Sequence, residues 1–350
     1  MSSKSSASKV RVVRLAHVHY QHPDMERALA FLQDFGFVDE LRGTNEVYLR
    51  GYGIQPYVYV AEKSPDAKRH FKGGVWVVDS IAELEKAASH PRASPIREID
   101  APGGGKIVTI EDPNGFLVGF VFGQNLRQFG DSDSAIQLER TPPTPNTANS
   151  KLRKGTYRRF EKGPSPVHKL GHYGFMLPPA KYDETKQFYM DLMNITPTDS
   201  VFDPSTGKDE TCFMHIDLGP DFTDHHSFFL GVDPQAAAAY VHHSSYEVND
   251  FDTQTLGHDW LRSKGWTNCW GVGRHVLGSQ IFDYWFDGSG NIVEHYTDGD
   301  LVNGDTPPHR EPASPDSLHI WGPNIPLAFV TGKVEDSGKP LGPPPVPLEA

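Results

Sequence analysis

The chain repeats itself, and the repeat limits what it can fold into. RLAHVHYQHPDMERALAFLQDFGFV, starting at Arg14, is matched by HKLGHYGFMLPPAKYDETKQFYMDLMNI, starting at His168. Each copy gives a short strand ending near a histidine, a loop with proline, then an amphipathic segment followed by short alternating runs. The first helix is expected to start at Asp24, with Ala28, Leu29, Phe31, Leu32 and Phe35 inward, and the second near Asp183, with Phe188, Tyr189 and Leu192 inward. Each copy carries a second helix signal. Asp79–Ser80 opens SIAELEKAASH, and Asp252 opens TQTLGHDWLRSKG, which Gly265 is placed to stop. Each also ends on a strand after a glycine turn, EDPNGFLVGFVFG and FDGSGNIVEHYTD. The expected class is α+β: four βαβββ modules, paired into two domains by duplication.

Three stretches fall outside the repeat. Residues 1–9 read as a disordered lead without the apolar core of a signal peptide. Residues 126–166, rich in Ser, Pro, Thr and Asn, read as a linker between a 10–125 domain and a 167–302 domain. Residues 303–350 form a Pro-rich tail, whose apolar piece SLHIWGPNIPLAF is expected to pack back on the body. The formal charge of −12 argues against nucleic acid and anionic membranes as partners. No apolar run is long enough to span a bilayer. Cys212 and Cys269 are the only cysteines, too few for a disulfide framework or a Cys-rich zinc site, and a cytoplasmic enzyme is expected.

The chemistry is concentrated in the second copy. His172 lies in the strand HKLGHYGFML, His243 in YVHHSSYEV and Glu294 in NIVEHYTD. Glu294 follows apolar Ile292 and Val293, so its carboxylate needs a partner or a metal to offset several kcal/mol of burial cost. Singly, each of the three is an ordinary core residue. Together, two imidazoles and one carboxylate can cap one face of an octahedral metal and leave the other open. Further polar residues cluster nearby. His226 lies in HHSFFLG, with Phe228 and Leu230 expected on its face, His275 follows Gly273–Arg274, and Tyr284 lies between Phe282 and Phe286. His225 and His242 point away by strand alternation, unless the register slips by one.

The pieces LGH172, HH243, GRH275, Tyr284 and GSGNIVE294, in this order, resemble the catalytic domain of two-domain extradiol ring-cleavage dioxygenases of the vicinal oxygen chelate superfamily, such as the 2,3-dihydroxybiphenyl and catechol 2,3-dioxygenases. The resemblance covers about residues 10–300 in architecture, and the functional residues in the second half only. It implies two domains, each a curved, partly open mixed β-barrel with flanking helices. It implies Fe(II), or Mn(II), on His172, His243 and Glu294, with His226 as the acid–base residue and His275 and Tyr284 as substrate contacts. A catechol and O2 would be the substrates and a ring-opened semialdehyde or keto acid the product, made by a homo-oligomer. Here the chain departs from the family in a slightly longer segment between His226 and His243 and in its long tail.

The first copy is an internal control. His17 stands where His172 stands, but Lys72 and Gly73 occupy the place of His243, and Gly119 that of Glu294. One ligand of three cannot hold a metal in this way, so the first domain is expected to be metal-free. Two rival readings stay open. A glyoxalase-like isomerase or epimerase would need a second carboxylate or amide, for which Glu247 is the candidate, and a non-catalytic binding protein would carry the triad as a relic.

Overall fold

The computed structural model describes residues 8–128, 145–314 and 318–341. Four units follow one another. The first is β1 (Val12–His22), α1 (Met25–Phe35), β2 (Val38–Arg42), β3 (Glu46–Arg50) and β4 (Tyr59–Lys63). The second is β5 (His70–Val78), α2 (Ile81–Ala88), β6 (Arg97–Glu98), β7 (Lys106–Glu111) and β8 (Leu117–Phe122). The third is β9 (Val167–Leu177), α3 (Pro179–Leu192), β10 (Ile195–Phe202), β11 (Asp209–Ile216), the short β12 (Thr223–Asp224) and β13 (Phe228–Val232). The fourth is β14 (Tyr240–Val248), α4 (Phe251–Ser263), β15 (Asn268–Arg274), β16 (Ile281–Phe286) and β17 (Ile292–Thr297). Two short strands, β18 (Leu301–Val302) and β19 (His309–Pro312), one helical turn, α5 (Leu327–Thr331), and a 3-10 turn (Val334–Asp336) follow.

These units build two mixed sheets, ordered β2-β3-β4-β1-β5-β8-β7-β6 and β15-β16-β17-β14-β9-β13-β11-β10-β19. In every unit the last strand lies parallel beside the first, as β1 with β4, β5 with β8, β9 with β13 and β14 with β17. Units then join in antiparallel pairs through their first strands, β1 with β5 and β9 with β14. The α+β class and the fourfold βαβββ pattern expected from the repeat are what the chain adopts.

Helix ends follow local chemistry. Asp24 caps α1 by accepting from Arg27 N, and Gly36 closes it in the left-handed region at φ 118°. Ala28, Leu29, Phe31, Leu32 and Phe35 are its buried face. Ser80 caps α2. The helix α3 begins at Pro179, a turn before the expected Asp183, because a proline at the first helical position has no N–H to satisfy. Its buried residues are Tyr182, Thr185, Tyr189 and Leu192, with Phe188 only half-buried. Likewise α4 is capped by Asp250 rather than opened by Asp252, and Gly265 follows it at φ 81°.

One apolar cluster runs through both sheets, from Phe35 and Trp76 to Tyr173, Phe228 and Trp285. Polar contacts pin the same interface. Trp76 Nε1 donates to the Tyr173 hydroxyl at 3.2 Å, and His295 Nε2 to the Phe35 carbonyl at 2.7 Å. The Asp34 carboxylate accepts from both Trp260 and Trp266 at 3.0 Å. Each aromatic ring buried here stabilises by roughly 1.5–3 kcal/mol, so the second sheet is backed by a rigid partner.

Residues 145–166 form no helix or strand; at the start of α4, Arg158 pairs with Asp250 at 2.7 Å and Ser165 Oγ donates to the Thr253 carbonyl at 2.6 Å. Of the expected linker, residues 129–144 lie outside the described residues, as do most of the lead and the end of the tail. The apolar piece of the tail does fold back. Trp270 Nε1 donates to the Pro323 carbonyl at 2.7 Å, and Phe329 packs on Trp270 with ring centroids 4.8 Å apart. Cys212 and Cys269 are buried free thiols. No helix among the described residues is long and apolar enough to cross a membrane.

Candidate metal centre and its hydrogen-bond network

Five adjacent strands carry the site. In the order β16, β17, β14, β9 and β13 they bear Tyr284, Glu294, His243, His172 and Phe229. Register aligns them: Tyr284 pairs with Glu294, Glu294 with Ser245, and Ser245 with His172. Ser245 is small enough to let the flanking side chains meet above it. Gly174, opposite His243, is held by close approach, since a Cβ there would lie 2.3 Å from the Phe229 ring.

The three expected ligands converge. His172 Nε2 lies 3.1 Å from His243 Nε2 and 3.1 Å from Glu294 Oε2, and His243 Nε2 lies 3.6 Å from the same oxygen. Ligand atoms about 2.1 Å from a metal and at right angles to each other are about 3.0 Å apart, so this spacing fits one face of an octahedron. The residues are 2 %, 5 % and 0 % exposed. Neither oxygen of Glu294 accepts a hydrogen bond among the described residues. A buried carboxylate without donors is costly, and a cation at the centre of the three atoms removes that cost. The donor set therefore fits a divalent metal.

Burial, reinforced by neighbouring imidazoles, pushes His243 and His226 well below the ordinary histidine pKa. Burial also lowers His275, and lowers His242 to about 4. These four imidazoles are thus neutral, as ligation through His243 requires. Two relays then assign tautomers. His242 Nε2 donates to the Phe329 carbonyl at 2.8 Å, which leaves its Nδ1 to accept from His243 Nδ1 at 2.7 Å. His243 Nε2 is left with its lone pair directed at the centre. In the second relay, Asp199 Oδ2 accepts from His225 Nε2 at 2.5 Å, and His225 Nδ1 accepts from His226 Nδ1 at 3.0 Å. His226 Nε2 is left basic. The His226 ring borders His172 with centroids 4.1 Å apart.

His275 and Tyr284 also meet. His275 Nδ1 donates to the Leu318 carbonyl at 2.6 Å, and the Tyr284 hydroxyl donates to His275 Nε2 at 2.8 Å. Burial raises the Tyr284 phenol well above its ordinary pKa, so it stays protonated. The Tyr284 ring lies 5.1 Å from His243, and Phe329 covers both Tyr284 at 4.8 Å and His242 at 4.8 Å.

Four sequence expectations need correction. His242 does not turn away from the site: a register shift between Val241 and His243 breaks the alternation and sets its ring beside His243. His225 likewise faces inward, onto His226. His226 does not share a face with Phe228 and Leu230, because β13 begins only at Phe228; those two residues enter the apolar core, and Phe229 stacks on His243 at 4.7 Å. Glu247 is not available at the centre, since it pairs with His168 at 2.9 Å and Lys169 at 3.7 Å. Alternation and motif reading missed Asp199, Phe229 and Phe329. No local signal marks Asp199, whereas the apolar tail piece did point toward Phe329.

In the first sheet, His17 pairs with Val75 as His172 pairs with Ser245. His19 pairs with Gly73 as Gly174 pairs with His243, and Gly119 takes the register place of Glu294. The control positions read from the repeat are thus structurally equivalent.

No family model matches the chain. Metapyrocatechase 2 of Cupriavidus necator is 28% identical over 335 residues, covering 94% of this chain and 96% of that protein. The 3,4-dihydroxyphenylacetate complex of homoprotocatechuate 2,3-dioxygenase from Brevibacterium fuscum superimposes with a TM-score of 0.73 at 18% identity, covering 94% of both chains. A Mn(II)-bound glyoxalase from Novosphingobium aromaticivorans gives a TM-score of 0.70 at 17% identity, covering 90% of this chain and 93% of that one. Along nearly its whole length, the chain resembles the two-domain extradiol dioxygenases of the vicinal oxygen chelate superfamily.

Proposed function

We propose that this chain is an Fe(II)-dependent extradiol dioxygenase, with His172, His243 and Glu294 as metal ligands. It opens a catechol ring beside the diol with O2, giving a semialdehyde or keto acid. The observation that carries the reading is the Glu294 carboxylate, fully buried and with neither oxygen hydrogen-bonded among the described residues, at ligand spacing from two buried imidazoles. The names of the similar proteins, metapyrocatechase and homoprotocatechuate 2,3-dioxygenase, support the reaction class. Two neutral imidazoles and one carboxylate leave a divalent site with one net positive charge, which a singly deprotonated catechol neutralises. When bound, the metal supplies a Lewis acid for the diol and a path for ring electrons to dioxygen, a role that favours iron over manganese.

The protein's own groups do the rest. His226 Nε2, left basic by the Asp199–His225 relay, takes a proton from the diol and returns it to the developing product. The Tyr284 oxygen, its own proton engaged by His275, accepts from the substrate hydroxyl and positions it. Phe229, Trp270 and Phe329 pack around His243 and Tyr284 and give apolar surface that would keep water from the reacting ring. The isomerase alternative is weakened because Glu247 is engaged by His168 and Lys169. The same reading takes the protein as a cytoplasmic homo-oligomer on the strength of the resemblance, which sizing of the purified chain tests.

The direct test is anaerobic loading with Fe(II), then air and a panel of catechols, following O2 uptake and the yellow ring-opened product. Equimolar O2 uptake with at least one catechol is the expected result. Full iron occupancy without O2 uptake across mono- and bicyclic catechols contradicts the reading.

A further inference from the structure

Both histidine relays run outward into the segment after residue 302. One ends on the Phe329 carbonyl, and the other continues past Asp199 to His309. The Asp199 carboxylate accepts two hydrogen bonds, from His225 Nε2 on Oδ2 at 2.5 Å and from His309 Nδ1 on Oδ1 at 3.0 Å. Burial alone would raise this carboxyl, but the two histidines hold it below its usual range, so it is ionised and can only accept. The Asp199 side chain is 9 % exposed, whereas that of His309 is 59 % exposed. His309 therefore stands between the buried relay and solvent.

The strand that carries it is pinned. β19 pairs in parallel with β10, in a register that sets His309 opposite Asp199. The next residue, Arg310, donates to Asp209 Oδ1 at 2.7 Å and to the Gly207 carbonyl at 2.6 Å, and its Cζ lies 3.9 Å from the Phe202 ring centroid. The Ala313 N–H donates to the Phe202 carbonyl at 2.8 Å. An exposed imidazole is thus presented from a fixed backbone. The last torsion of an aspartate is broad, so a carboxylate held at one oxygen can turn, and one held at both is fixed. If Oδ2 turned away from His225 Nε2, His225 could take its other tautomer and donate from Nδ1 to His226 Nδ1. His226 Nε2 would then carry a proton already and could not accept one.

We propose that His309 is a positioning residue for the acid–base side of the site: its Nδ1–H pins Asp199, so that the relay through His225 leaves His226 Nε2 free to take the proton. The inference rests on the reading of His226 as the base in ring cleavage. Because β19 lies outside the four repeated units, that side of the site is complete only when this strand pairs with β10. Water can donate to Oδ1 in place of His309, but a mobile donor does not fix the direction of the carboxylate.

His309→Leu and His309→Asn decide it in the full chain, since the asparagine amide offers a donor close to the place of the imidazole Nδ1. An exposed His–Asp pair contributes little to stability, so both variants are expected to fold, as thermal melting checks. In the iron-loaded enzyme, His309→Leu is expected to keep the wild-type KM and iron content and to lose kcat about tenfold, and His309→Asn to regain most of it. A second readout needs neither iron nor turnover. In metal-free chain isotope-labelled at histidine, long-range proton–nitrogen NMR spectra near neutral pH are expected to show His225 protonated on Nε2, its signals identified by their loss in His225→Gln. That tautomer is expected to persist in His309→Asn and to mix with the Nδ1–H form in His309→Leu. A His225 tautomer unchanged in His309→Leu overturns the proposal. So does a wild-type kcat in His309→Leu, or a loss that His309→Asn does not repair. A wild type that takes up no O2 contradicts ring cleavage instead, and the tautomer then still decides the role of His309.

Discussion

Asp199 Oδ2 lies 2.5 Å from His225 Nε2, and through that contact it selects which nitrogen of His226 is basic. The same logic recurs on the other side of the site, where the Phe329 carbonyl orients His242 and His242 orients His243. Each relay ends in an Nε2 lone pair, which the proposed reaction would use for a proton at His226 and for a metal at His243. Both depend on partners far away in sequence.

Asp199→Asn is expected to keep the iron and lose turnover. Burial pushes the Asp199 carboxyl up, but the hydrogen bonds and charges of His225 and His309 outweigh it and hold the group below its usual range. An asparagine can offer N–H instead of oxygen and reverse the relay, moving the proton of His226 to the wrong nitrogen. A fall in kcat of about 10- to 100-fold is expected, with a shifted kcat–pH profile. Iron analysis and steady-state kinetics decide it; an unchanged kcat and profile contradict the relay.

His242→Leu acts on the metal instead. It removes the acceptor for His243 Nδ1, so His243 is no longer held in the tautomer that presents Nε2. Loss of such an outer partner is expected to weaken Fe(II) binding about 10- to 100-fold. Competition against a chelator measures this, and wild-type affinity in the variant contradicts it.

Phe329→Ala keeps the backbone carbonyl that His242 needs but removes the ring over Tyr284 and His243. Metal affinity is expected to hold, while KM for the catechol rises about tenfold as water enters the pocket. An unchanged KM would show that the tail does not wall the site.

Acid sensitivity comes from histidines buried neutral. Burial lowers His17 and His295 to about 3. In the unfolded chain they titrate near 6.5, so the unfolded state binds more protons below that pH. Their contribution to stability is complete above about pH 6.5 and is lost as pH falls toward the folded value, at about 1.4 kcal/mol per pH unit for each group. Urea unfolding of metal-free chain should show this slope, and His17→Phe should flatten it by about one proton. A slope identical in the variant contradicts the assignment.

The legible parts of this protein are those governed by local period. Pairing along β17 is regular around Glu294, and the register of the first sheet places His17, Gly73 and Gly119 at the ligand positions of the second. The reading broke where the period did. A bulge at His242 turned a residue expected to face away into the partner of His243, and β13 started too late to carry His226. The start of α3 moved because Pro179 can open a helix, a property that a search for acidic caps overlooks. Asp199 was out of reach for another reason: only the folded sheet brings it to His225, and although the apolar tail piece was expected to fold back, only the folded tail shows Phe329 meeting His242.

The central claim is that His172, His243 and Glu294 hold one ferrous ion, and the most direct measurement is iron bound per chain after anaerobic loading. Wild type and His17→Phe are expected to hold close to one ion, while His172→Ala, His243→Ala and Glu294→Ala, folded by circular dichroism, are expected to hold little. Full iron occupancy in Glu294→Ala, or iron lost with His17, contradicts the account.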